Sequence, residues 1–294
     1  MTSDAIFHRR AFVGGACANL YVASSPQAAT SRDVADTLAR VEAEIGGRVG
    51  VAAWDTGSGV WAKWRAEERF AMCSTFKLLL AATVLDLIDR GTLTADRRVP
   101  FTRVDLLPHS PTTSAHVEEG AMSLSDLCAA AIEESDNGAA NLLLRLIGGP
   151  AALTRRLRRL GDPTTRLDRI ELALNTNLPG DVRDTSTPAA YVRTMRRVLL
   201  GDGLSAGSRR RLETWMVDCR TGLDRLRAGL PPGWRAGDKT GTGDNGAVND
   251  VAIIRPPGRP PILVAVFLSG SRRSVAELSA AHVRIGRTIV AAFG

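Results

Sequence analysis

Strand-like segments sit at the two ends of this chain and almost nowhere between. Val49 to Trp54 and Val60 to Trp64 flank the turn Asp55-Thr56-Gly57-Ser58-Gly59, and both carry the β-branched and aromatic residues that suit a pleated surface. Strands return at Trp234–Asp238, Val248–Ile254 and Ile262–Ser269. Between them, from about residue 74 to 215, the apolar spacing is mostly helical. That order predicts one antiparallel sheet built from both termini, with an all-helical domain inserted in the middle. Helical spacing over 31–46 (Val34, Leu38, Val41, Ile45) and again over 274–292 adds terminal helices to flank the sheet. The fold class is α+β. Residues 31–70 and 216–294 make the sheet subdomain and residues 71–215 the helical subdomain of a single domain.

Within the helical part, Leu78 to Ile88 is apolar nearly all round, as expected of a buried central helix. With 294 residues, 44% of them hydrophobic, the chain has enough material for such a core. No apolar run approaches the ~18 residues that a membrane-spanning helix needs. The four histidines are scattered, with no H-x-H or H-E-x-x-H pair, which excludes a zinc hydrolase; no metal or cofactor is expected. Basic clusters at Arg155–Arg159 and Arg209–Arg211 lack interleaved aromatics and read as solvated helix faces, so no nucleic-acid partner is expected.

The cations themselves carry a signal. Of 38 basic residues only Lys63, Lys77 and Lys239 are lysines. A chain that meets its surface charge with arginine has little need of lysine there, and lysine differs in being able to lose its proton when buried. Two of the three are therefore candidates for chemistry. At the other end of the chain, Arg9-Arg10-Ala11-Phe12 leads a short apolar stretch to Ala23, followed by small residues. Residues 1–30 read as a twin-arginine export signal.

Four short motifs carry the chemistry. Ser74-Thr75-Phe76-Lys77 opens the buried helix, and a spacing of three places hydroxyl and amine one turn apart on one face. A serine needs a neighbouring base to become a nucleophile, and a buried lysine can serve. Ser135-Asp136-Asn137 lies between two helical runs; it suits a helix cap, or a proton relay (Ser135) beside an amide holder (Asn137). Lys239-Thr240-Gly241-Thr242 lies on a strand, where Gly241 would admit a ligand backbone and Thr242 would offer an N–H to an oxyanion. Ser-x-x-Lys, Ser-Asp-Asn and Lys-Thr-Gly in this order resemble the class A serine β-lactamases among the penicillin-recognising serine enzymes, over residues 31 to the C-terminus. The fourth motif, Glu171-Leu172-Ala173-Leu174-Asn175, is similar to the family's E-x-x-L-N on an omega-shaped loop.

The resemblance implies hydrolysis of the β-lactam amide of penicillins and cephalosporins through a serine acyl-enzyme. Ser74 is then the nucleophile; Lys77, or Glu171 through water, takes its proton; Ser135 with Lys239 protonates the leaving nitrogen; Glu171 and Asn175 hold the deacylating water. Asn137, Thr240, Gly241 and Thr242 fall on substrate-binding positions, and His109 takes the place of a gatekeeping aromatic. Arg169 and Asp184 match the ion pair at the neck of the loop. Valine at 248 cannot supply the arginine that many members use for the substrate carboxylate, and Arg225 matches an alternative position for it. The family's proline after the glutamate is Leu172 here, which leaves a cis or trans bond open. Ala81 stands where a disulfide partner of Cys128 would be, and Gly243 where a partner of Cys73 would be, so no disulfide is expected. The family pattern further implies a periplasmic monomer without stable membrane association. A D-alanyl-D-alanine peptidase would share three motifs but lack the loop glutamate, and a non-hydrolysing penicillin sensor would acylate and stop.

Overall fold

A computed structural model describes Met1 and residues 31–294. The expected leader, with its arginine pair and Cys17, lies outside the described residues.

Helix α1 (Ser31–Ile45) leads into the hairpin β1 (Arg48–Asp55) and β2 (Trp61–Trp64), then a short strand β3 (Phe70–Ala71). The middle of the chain holds α2 (Phe76–Asp89), β4 (Arg98–Pro100), α3 (Pro111–Ala115), β5 (Ala121–Ser123), α4 (Leu124–Glu133), α5 (Asn137–Ile147) and α6 (Pro150–Arg159). After β6 (Thr185–Ser186) come α7 (Pro188–Leu199) and α8 (Ala206–Val217). Strands β7 (Arg235–Thr242), β8 (Val248–Arg255) and β9 (Ile262–Ser269) and helix α9 (Val275–Phe293) complete the chain. The expected α+β arrangement is what forms: an antiparallel sheet in the order β2-β1-β9-β8-β7, drawn from both ends of the sequence.

Side-chain alternation divides the interior into two cores. In β1 and β9, Val49, Val51, Ala53, Val264, Val266 and Leu268 face α1 and α9, meeting Leu38, Val41, Ile285 and Ile289. Their neighbours Ala52, Leu263, Ala265 and Phe267 face the helical side, where α2 forms the centre. Residues Phe76–Asp86 of α2 are all buried, which is why that helix is apolar on every side. One consequence falls on the basic cluster. Arg156 is not a solvated charge: its guanidinium is buried against Asp86 at 2.6 Å, because α6 packs across α2.

The smallest sheet does the most to set the site. β3 pairs with β6 (Phe70↔Ser186, Ala71↔Thr185), tying the segment before Ser74 to the end of the loop that carries Glu171.

Candidate active site

Ser74 lies in a 3-10 turn, Cys73–Thr75, that runs directly into α2. Cys73 takes φ +46° and Ser135 φ +57°, left-handed conformations that non-glycine residues hold only when their surroundings enforce them. The hydroxyls of Ser74, next in the chain to Cys73, and of Ser135 enter the same narrow space. Lys77 Nζ lies 2.9 Å from Ser74 Oγ, 2.8 Å from the Ser135 carbonyl and 3.4 Å from Ser135 Oγ. It is also 2.6 Å from Asn137 Oδ1 and 3.0 Å from Glu171 Oε1. An ammonium has three protons, so these five acceptors share it. Both side chains of the Lys77–Glu171 pair are fully buried. Burial pulls the Lys77 ammonium below the ordinary lysine range, against the pull of the Glu171 carboxylate.

Glu171 is held at both ends. Its Oε1 accepts from Ser74 Oγ at 3.2 Å and its Oε2 accepts from Asn175 Nδ2 at 2.7 Å. Its backbone is clamped by Asn141, which accepts from Glu171 N and donates to Glu171 O, each at 3.0 Å. Sequence reading missed Asn141. Its signal was the spacing of four from Asn137 on α5, which puts both amides on one helix face. Arg169 Nε reaches Asp184 Oδ2 at 2.5 Å, and Asp184 O accepts from Met72 N at 2.9 Å. The loop's neck is thereby fastened to the chain two residues before Ser74. The Glu171–Leu172 peptide bond is cis.

Lys239 enters from β7 on the opposite side. Its Nζ donates to Ser135 Oγ at 3.0 Å and to Thr240 O at 2.8 Å. Burial draws its ammonium down to about 8, with Lys77 adding to the effect. Gly241 has a further reason, within the fold itself. A Cβ there would stand 2.7 Å from Met72 O and 3.2 Å from Ser74 N, so the glycine lets β7 press against the nucleophile's own backbone.

The cleft, about 350 Å³, is lined by Ser74, Ser135, Asn137, Asn175, Thr242 and, at its mouth, His109 and Leu172. The exposed His109 has φ +58°, with its Nε2 2.8 Å from Glu134 O. Thr240 is buried; its Oγ1 meets Thr221 Oγ1 at 2.5 Å. Arg225 is buried behind the strand rather than among the lining residues. Its Nη1 donates to Asn249 O and Gly241 O, at 2.6 and 3.1 Å, and its Nη2 donates to Thr242 Oγ1 at 2.8 Å. Cys73, Cys128 and Cys219 are free and buried.

A hydroxyl between an amine and a carboxylate, with a second hydroxyl linking two lysines, is equipped for acyl transfer with proton relay in both directions. Comparison with known proteins shows the family. A model of the beta-lactamase enzyme family matches residues 33–293. Beta-lactamase CTX-M-8 of Citrobacter amalonaticus is 43% identical over 277 residues, covering 92% of this chain and 95% of that protein. The structure of an ancestral class A beta-lactamase of Gram-negative bacteria superposes with a TM-score of 0.87 at 52% identity, over 88% of this chain and all of the other. A beta lactamase from Burkholderia vietnamiensis gives a TM-score of 0.85 at 50% identity, over 90% and 96% of the two chains. The chain belongs to the beta-lactamase enzyme family, as a serine hydrolase of class A.

Proposed function

We propose that this protein opens the β-lactam ring of penicillins and cephalosporins through an acyl-enzyme on Ser74, and so gives antibiotic resistance. The observation that carries the reading is the position of Ser74 Oγ, 2.9 Å from Lys77 Nζ and 3.2 Å from Glu171 Oε1. Ser74 Oγ attacks the lactam carbonyl while its proton passes to the Lys77–Glu171 pair, directly to the amine or through water to the carboxylate. The N–H groups of Ser74 and Thr242 stabilise the oxyanion. Ser135 Oγ protonates the departing nitrogen and is resupplied from Lys77 or Lys239. Glu171, aligned by Asn175, then takes a proton from water, and the hydroxide attacks the ester to free Ser74. Asn175 Oδ1 is buried with no partner among the described residues, leaving an acceptor for that water.

Asn137, Thr240, Gly241 and Thr242 hold the substrate's amide and carboxylate, and His109 forms the rim of the entry. Arg225 reaches the carboxylate only through Thr242 Oγ1. A chromogenic cephalosporin tests the whole reading: purified protein turns it over rapidly and repeatedly. A single stoichiometric burst identifies a penicillin sensor instead, and slow turnover a peptidase.

The proposal extends to location and assembly. The protein works as a periplasmic monomer divided into the sheet and helical subdomains given above, and the Arg9-Arg10 leader directs it through the twin-arginine route. No described helix is long and apolar enough to cross a membrane. Replacing both leader arginines with lysine should retain the chain in the cytoplasm. Unchanged export would remove the route but not the enzyme.

A further inference from the structure

A second cavity among the described residues is larger than the cleft. It measures about 610 Å³ and lies on the far side of the 169–184 loop, between that loop and the turn after β9. Its charge is lopsided. Arg48, Arg69, Arg169, Arg183 and Arg272 line it, against the two carboxylates Glu68 and Asp181. Arg48 spends its charge on Glu68 at 3.0 Å, and Arg183 on Asp181 at 2.8 Å. Arg169 is committed to Asp184. Arg69 donates to Thr164 O and Thr185 Oγ1, both at 3.0 Å, and meets no carboxylate among the described residues. No ion pair is formed by Arg272 among the described residues. Two guanidinium groups therefore face a concave space without a carboxylate partner among the described residues. The opposite wall is apolar: Leu178 and Val182, respectively 50% and 47% exposed, open into it beside Pro179.

We propose that this cavity binds a small organic anion, with carboxylate or phosphate groups held by Arg69 and Arg272 and an apolar body against Leu178 and Val182. Its volume is in the range of small-molecule sites, and guanidinium forks match the planar or tetrahedral oxygens of such groups. Occupancy has a path to the chemistry. Arg169 belongs to the cavity wall, bonds the neck residue Asp184, and stands two residues from Glu171. An anion drawing on Arg169 changes how firmly the neck holds the loop, and hence the rate of deacylation. That last step rests on the role proposed for Glu171; binding itself does not.

The test uses the full chain and three compounds: citrate, inorganic diphosphate and decanoate. Calorimetry on the wild type should give one saturable site for at least one of them, and the order of affinity separates carboxylate from phosphate recognition. Arg272→Glu, on an exposed side chain outside the catalytic machinery, should weaken that binding at least about tenfold. Val182→Asp should do the same from the apolar wall, while Ser74→Ala should leave it intact. In turnover assays the compound should alter kcat of the wild type and not of Arg272→Glu. No saturable binding, or binding indifferent to both cavity substitutions, overturns the site. Binding without any change in kcat overturns the coupling to the loop. A failure of β-lactam hydrolysis itself would leave the calorimetric result standing.

Discussion

Lys77 and Lys239 invite comparison, because each is fully buried and each points its amine at the same Ser135 hydroxyl. What separates them is the counter-ion. Lys77 has the Glu171 carboxylate at 3.0 Å, which holds the cation in place while burial works against it. Lys239 forms no ion pair among the described residues; the nearest acid along its strand, Asp238, is engaged with Arg227 at 2.9 Å. The difference teaches that burial alone does not assign a lysine its task. An amine with a carboxylate beside it stores and returns a proton, since the pair can rearrange without changing its net charge. An amine without one keeps an unbalanced field in the cleft, which suits an anionic substrate.

The sharpest way to break this contrast is Glu171→Ala, which leaves Lys77 in the position of Lys239. Loss of the general base should lower kcat by ~10²–10⁴-fold, with acylation still detectable. Mass spectrometry after mixing with a penicillin should then show a persistent adduct on Ser74. Normal turnover with no adduct would sink the assignment.

Lys239→Ala removes the unpaired charge and should cost roughly 1.5–3 kcal/mol in kcat/KM, the range for hydrogen bonds to a charged group. Its pH dependence is more telling. Lys239 keeps its proton below a pKa of about 8 and loses it above, so kcat/KM of the wild type should fall as pH rises through that value. Arginine does not titrate in this range, so Lys239→Arg should carry the alkaline limb beyond it. An alkaline limb near 8 that survives in Lys239→Arg would assign that titration elsewhere.

Arg225→Ala is expected to act on the strand before it acts on the substrate. Truncation leaves the buried carbonyls of Gly241 and Asn249 short of a donor, a loss of about 1–3 kcal/mol in stability measurable by urea denaturation. The drop in kcat/KM should be smaller than that of Lys239→Ala, because contact runs through Thr242. The smallest effect belongs to Cys219→Ala. Burial pushes the Cys219 thiol up, so it is neutral where Lys239 titrates, and the alkaline limb should stay where it was. Under denaturing, non-reducing conditions the chain without its leader should release three titratable thiols, and a count of one would disprove the expectation of no disulfide.

Much of this was legible in the sequence because it is local. β9 begins and ends at the residues that its apolar run marks out, and scarcity picked Lys77 and Lys239 from among 38 cations. Lys63, the third, is exposed and 3.9 Å from Glu67. The rest depends on segments that meet only in space. The pairing of β3 with β6 involves two residues on each strand, too few for any period to show. Arg156 looked like one charge in a row until α6 was laid across Asp86. Arg225 was found as a position but not as an orientation, since nothing along the chain tells which side of β7 a preceding loop will occupy. Asn141 speaks only once the loop it clamps lies against its helix.

The sheet's topology also sets a clock. β1 lies against β9, so Ala52 must wait for Ala265 before the middle of the sheet exists. At roughly 5–20 residues per second of synthesis, the ~200 residues between them take roughly 10–40 s to arrive. During that interval the apolar faces of α1 and β1 lack their β9 partner, and the core around α2 still lacks Leu263, Ala265 and Phe267 of the same strand. One late strand therefore closes both cores, and the nascent N-terminal hairpin is the segment that waits longest for it.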